Sequence, residues 1–168
     1  GCSIKWASKR DSVKESLERW AKEEVTLEMI NVEELKELVK NDSENLRLIN
    51  IWATTCGPCV AEFPELVTIN RMYRHRKFEL ITISADDPRN KDDALAFLKK
   101  KEASCKNYLF DSNNVYQLIE AVDKEWAGAI PFTLVIRPGG EVVYQHMGMI
   151  DPLKMKGRIV EQLGRYYK

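Results

Sequence analysis

The sequence predicts an α/β fold, with a mixed central β-sheet flanked by helices. Three observations carry this. Apolar runs of strand length alternate with segments of helical period along most of the chain. One run, residues 46–52 (Leu-Arg-Leu-Ile-Asn-Ile-Trp), is apolar enough for a central strand covered on both faces. The last two strand-like runs flank Pro138-Gly139-Gly140, a turn that would close an antiparallel hairpin.

Each element has its own signal. Residues 12–22 read as an amphipathic helix, with Ser12 and Glu15 as a capping box and Val13, Leu17 and Trp20 on one stripe. Residues 25–30 alternate as a short strand. Asn31 caps a second helix, with Glu34 three residues on and Val32, Leu35, Leu38 and Val39 as its buried face. Residues 41–45 form a polar loop. After the central strand a helix extends to about His75, and Pro64 should kink it by removing a backbone donor. Residues 78–84 are the next strand. Pro88 opens a helix to about Lys101, with Leu95 and Leu98 inward. Residues 108–110 form a short strand and 114–122 a helix. The hairpin at 132–137 and 141–146 follows, and Asp151 and Pro152 start a terminal helix.

Composition narrows the function classes. A chain of 168 residues fits one domain with a substantial core. Its 26 basic and 26 acidic side chains cancel, which argues against nucleic acid or an anionic membrane surface as the main partner. No apolar run approaches the roughly 20 residues that span a bilayer. The cysteines are Cys2, Cys56, Cys59 and Cys105, and only one pair is closely spaced. A structural zinc site usually needs a second pair, and His75 and His146 have no metal-binding spacing. One short pair points to redox chemistry.

Disulfide exchange needs one thiol that is largely thiolate near neutral pH and a second that releases the mixed disulfide. Cys56 is placed at a helix start, where free N–H groups and the positive dipole end favour the anion. Cys59 lies about one turn further in. Gly57 permits the tight entry, and Pro58 is tolerated where N–H groups have no intrahelical partner.

These residues resemble a known family. Trp52-Ala53-Thr54-Thr55-Cys56-Gly57-Pro58-Cys59 is similar to the active-site segment of the thioredoxin superfamily, and Ile130-Pro131-Phe132-Thr133 to its cis-proline loop. Within that superfamily, three features resemble the TlpA/ResA-type extracytoplasmic reductases. They are Glu62-Phe63-Pro64 after the second cysteine, Asn50 in place of a buried aspartate, and 72 positions between Cys59 and Pro131 (131 − 59). Thr55 departs from the pattern, since most relatives carry tryptophan there.

The resemblance implies a thioredoxin-like domain over residues 25–168, with an extra helix–strand insertion before the cis-proline and a tether or helical extension over residues 1–24. It implies a protein-disulfide reductase without a cofactor, acting on disulfide-containing proteins and re-reduced by an upstream thiol donor. Cys56 would attack, Cys59 resolve and Glu62 relay a proton. Ile130 and Pro131 would dock substrate, and Trp52, Thr55, Gly57 and Pro58 would border it. The Gly-Pro dipeptide resembles the reducing members; oxidase or isomerase activity is the alternative. A copper chaperone holding metal through Cys56, Cys59 and His146 is the rival from another class. The peroxiredoxin pattern has a threonine three residues before its peroxidatic cysteine, where this chain has Ala53. Cys105 reads as a free, half-buried thiol. The start Gly1-Cys2-Ser3 looks like a lipoprotein junction, so Cys2 is expected to carry a lipid, with the protein periplasmic or otherwise extracytoplasmic.

Overall fold

Strand and helix alternate along the chain as α1 (Cys2–Ala21), β1 (Glu28–Ile30), α2 (Val32–Lys40), β2 (Leu46–Trp52), α3 (Gly57–Tyr73) and β3 (Phe78–Ser84). A 3₁₀ turn (Pro88–Asn90) leads to α4 (Lys91–Lys100), β4 (Lys106–Phe110), α5 (Val115–Val122), β5 (Phe132–Ile136), β6 (Val142–Met147) and α6 (Pro152–Leu163). The computed structural model describes the backbone of residues 2–164 and the side chains of residues 12–164. Cys2 and its expected lipid therefore lie outside the described side chains.

The strands form one sheet in the order β1-β4-β3-β2-β5-β6. The pairs β1–β4, β4–β3 and β3–β2 are parallel, and the pairs β2–β5 and β5–β6 are antiparallel. The α4–β4–α5 run between β3 and β5 supplies the expected insertion.

Strand β2 shows why its sequence is almost wholly apolar. Its alternate side chains enter two different cores. Leu48 and Trp52 join Phe63, Leu66 and Ile69 of α3, Leu98 of α4, and Met155 and Ile159 of α6. Ile49 and Ile51 join Leu35 of α2 and Leu118 and Ala121 of α5 on the opposite face. Burying each large apolar side chain contributes about 1.5–3 kcal/mol. Asn50 shares the α3 face, and so does its chemistry.

Local signals hold at several ends. The Asn31 side chain accepts the Glu34 N–H at 2.8 Å while Glu34 accepts the Asn31 N–H at 3.1 Å. Asp151 caps α6 by accepting from Leu153 and Lys154. Asn41, in the polar loop, is fully buried in left-handed backbone (φ 48°). Its amide donates to the carbonyls of Asn45 and Ile136, tying the end of α2 to the end of β5.

Other boundaries differ from the sequence reading. Ser12 is not a cap, because α1 runs through it. Val13 and Leu17 are 58% and 55% exposed, since nothing among the described residues covers that stripe. Only Trp20 is engaged, with the Arg71 guanidinium 4.4 Å above its ring. Strand pairing in 25–30 begins at Glu28, because the Asn107 amide takes the Thr26 carbonyl at 3.1 Å. Pro64 does not interrupt α3; buried Phe63 and Leu66 hold the turn on either side of the lost donor. Pro88 opens a 3₁₀ turn, with Asp87 accepting the Arg89 N–H, and α4 begins at Lys91. β4 starts at Lys106, where pairing with Ile81 of β3 begins. No described helix is long and apolar enough to cross a membrane.

Candidate active site

β2 ends at Trp52, and four residues later the chain turns into α3. The Cys56 N–H donates to the Ala53 carbonyl at 3.1 Å, closing the turn. Cys56 is the N-cap of α3 in extended backbone, and its Sγ accepts the Cys59 N–H at 3.3 Å. Pro58 occupies the first turn. A disulfide joins Cys56 to Cys59, with their Cα atoms 5.2 Å apart. Cys56 is half-buried, whereas Cys59 is only 1% exposed, so the first sulfur alone is approachable.

The cis-proline loop lies against this pair. The Ile130–Pro131 bond is cis, and the Ile130 carbonyl oxygen is 3.7 Å from Cys56 Sγ. The Gly148 N–H donates to the Pro131 carbonyl at 2.8 Å, holding the segment after β6 beside the loop. Thr55, Gly57 and Pro58 are exposed around the disulfide, Ile130 is half-buried and Pro131 buried.

Glu62 lies one turn beyond Cys59 and is 3% exposed. Its Oε1 accepts from Asn50 Nδ2 at 3.1 Å and its Oε2 from the Ile150 N–H at 2.9 Å. Asn50 also donates to Thr133 Oγ1 at 3.1 Å. Burial pushes the Glu62 carboxyl above its ordinary value; the bonds from Ile150 and Asn50 and the nearby His146 oppose this without cancelling it.

Trp52 does not border an open surface. It is fully buried, with ring centroids 4.9 Å from Phe63 and 5.1 Å from Phe97. At the end of β2 its side chain falls on the α3 face, where the aromatic cluster encloses it. Trp126 carries no functional signal in the sequence; it stacks on Phe132 at 4.8 Å and donates to the Ala129 carbonyl, bracing the loop before Pro131. Asp86 is another such residue. Its buried carboxylate accepts the Thr54 N–H beside the cysteine motif. A lone aspartate after a strand carries no sequence signal of such a contact. Cys105, just before β4, is a free thiol and half-buried, and burial pushes its pKa up to about 12.

No three His, Cys, Asp or Glu side chains converge on a metal position among the described residues, and His146 Nε2 contacts the Met149 carbonyl at 2.9 Å.

Sheet order, helix placement and a disulfide at the start of α3 define a thioredoxin-like protein with a dithiol/disulfide centre. The profile of the AhpC/TSA family matches residues 21–145, and the chain belongs to that family. It is 28% identical over 110 residues to the thiol-disulfide oxidoreductase ResA of Oceanobacillus iheyensis, covering 66% of this chain and 53% of that protein. The chain thus spans about half the length of this curated relative. In structure it is similar to a thiol-disulfide oxidoreductase from Bacteroides fragilis, with TM-score 0.60 and 21% identity over 74% of this chain and 85% of that one. A DsbF homologue from Corynebacterium diphtheriae gives TM-score 0.63 and 16% identity over 71% and 73%. At such identities these likenesses speak for the fold.

Proposed function

We propose that the protein is a thiol–disulfide oxidoreductase that reduces disulfides of exported proteins. The observation that carries this reading is the asymmetric pair at the start of α3, with Cys56 approachable and Cys59 enclosed beneath it.

In the reduced form, the Cys56 thiolate attacks one sulfur of a substrate disulfide. A mixed disulfide forms, and the substrate's other sulfur leaves as a thiolate and takes a proton from water. Glu62, as carboxylate, receives the Cys59 proton, and the Cys59 thiolate attacks Cys56 Sγ. The substrate's second sulfur leaves as a thiolate and takes up the proton held on Glu62, so two electrons have passed to the substrate, Glu62 is a carboxylate again and Cys56–Cys59 is a disulfide. An upstream thiol donor returns the two electrons. Extended substrate pairs with the backbone at Ile130 beside Pro131, and Thr55, Gly57 and Pro58 border the entering chain.

The ResA similarity supports an extracytoplasmic setting; the tether or helical extension over residues 1–24 and a lipid on Cys2 rest on the Gly1-Cys2-Ser3 motif alone. Mass spectrometry of the protein from its native host checks the last point; an unmodified Cys2 removes the lipid from the reading.

Insulin reduction by the metal-free protein, with dithiothreitol as donor, tests the activity. A parent rate equal to that of a Cys56→Ser variant would overturn it. Hydrogen peroxide consumption in the same assay separates disulfide exchange from peroxidase chemistry, which Ala53 speaks against. A measured potential then decides between reductase and oxidase or isomerase roles.

A further inference from the structure

Asp86 lies just past the end of β3 and is 6% exposed. Four hydrogen bonds converge on its carboxylate. The Thr54 N–H reaches Oδ1 at 3.0 Å and Oδ2 at 3.1 Å, the Thr54 hydroxyl reaches Oδ1 at 2.7 Å, and the Ser84 hydroxyl reaches Oδ2 at 2.6 Å. The Asp86 N–H closes the arrangement on Ser84 Oγ at 3.1 Å. Every one of these donors is neutral, and no cation pairs with Asp86 among the described residues. A carboxylate so enclosed is met by neutral hydrogen-bond donors alone among the described residues.

Thr54 is two residues before Cys56, in the loop that carries the chain from β2 into α3. We infer that Asp86 is a positioning residue of the redox centre, clasping this loop through Thr54 and placing a carboxylate that has hydrogen-bond donors but no cationic partner among the described residues beside the entry of Cys56 into the helix. The clasp fixes where Cys56 caps α3. The charge opposes the helix terminus, so it restrains formation of the Cys56 thiolate and favours the disulfide over the dithiol. This rests on the proposed role of Cys56 as nucleophile.

The other charged groups at this end of the sheet are accounted for differently. Glu62 of α3 is held by Asn50 and Ile150, and His146 of β6 contacts the Met149 carbonyl. Asp87 pairs with Arg89 after β3. Ahead of the cis-proline loop, Lys124 and Glu125 are exposed and Asp123 is half-buried, its carboxylate accepting the Glu125 N–H.

Two substitutions separate clasp from charge. In Asp86→Asn the amide oxygen still accepts from Thr54 and the NH₂ faces Ser84 Oγ, so shape is kept and charge is lost. Thr54→Val keeps the charge and the N–H bond but removes the hydroxyl donor, leaving the carboxylate less compensated. Iodoacetamide alkylation of Cys56 in the reduced protein, followed against pH, reads the thiolate directly. Asp86→Asn should lower the midpoint by about 0.5 pH unit, and Thr54→Val should raise it. In a glutathione buffer at neutral pH, Asp86→Asn should shift the equilibrium about twofold toward the dithiol. A parent Cys56 that shows no titration overturns the nucleophile assignment, and this inference with it. A parent that titrates normally, with both folded variants at the parent midpoint or moving in the same direction, overturns the Asp86 inference alone.

Discussion

Glu62 accepts a hydrogen bond from the backbone N–H of Ile150, 88 residues further along the chain, at 2.9 Å. The contact joins the helix of the redox cysteines to the segment between β6 and α6. The carboxyl is buried one turn beyond Cys59 with two neutral donors, and burial raises its pKa against the pull of both bonds. Both features bear on how the site turns over.

Glu62→Gln keeps the size of the side chain and removes the titrating proton. Release of the mixed disulfide should slow by about 10²-fold, in the range that a positioned general base contributes. The sign of the pH effect follows from the shift. Because burial raises the Glu62 pKa above its ordinary 4.5, the basic form accumulates only above that value, and the resolving rate should climb there with rising pH. The variant should lack this limb. Single-turnover release measured from pH 5 to 8 checks it, and parent-like rates throughout would leave Glu62 a structural residue.

Cys59→Ser should leave Cys56 able to attack but unable to be released. A stable mixed disulfide with a peptide substrate should accumulate, detectable as added mass on Cys56. In the reduced parent, iodoacetamide should modify Cys56 first, since Cys59 is enclosed. Faster modification of Cys59 would reverse the two roles.

Glu79 predicts a pH-dependent stability. On β3 it faces Arg47 of β2 in register, bonds it, and pairs with Lys106 of β4 at 2.9 Å. Burial works to raise its pKa, but the bonds from Arg47 and Lys106 outweigh that and hold it below the ordinary value. A depressed folded-state pKa contributes stability that is present above the unfolded value and lost as pH falls through the folded one. Glu79→Gln should therefore cost about 3 kcal/mol at pH 7 and progressively less in acid. Urea unfolding at pH 7 and near pH 3 measures the difference; an equal cost at both would refute it.

Two glycines should respond oppositely to alanine. Gly140 has φ +103°, and an added Cβ would lie 2.9 Å from the Lys40 backbone oxygen. Neither the backbone nor that oxygen can yield cheaply, so Gly140→Ala should cost about 1–3 kcal/mol. Gly157 is inside α6, with nothing within 4 Å of the new methyl group. Gly157→Ala should stabilise by roughly 0.5–1 kcal/mol through helix propensity. Thermal unfolding of the two variants gives both signs.

Local chemistry made much of the molecule legible in advance. Capping at Asn31 and Asp151 acts over three residues, and the spacing of Cys56 and Cys59 within one turn, so the sequence by itself determined where α2 and α6 start and where the redox pair would be. The apolar run 46–52 determined a central strand, since only cover on both faces accommodates it. Tertiary structure decided the rest. Whether Val13 and Leu17 are covered, whether Pro64 breaks a helix and which face takes Trp52 depend on what packs there, which periodicity does not report. The bonds from Ile150 to Glu62, Thr54 to Asp86 and Asn41 to Ile136 join residues from 32 to 95 positions apart. Strand order and register bring such groups together, and a one-residue slip would send each side chain to the other face.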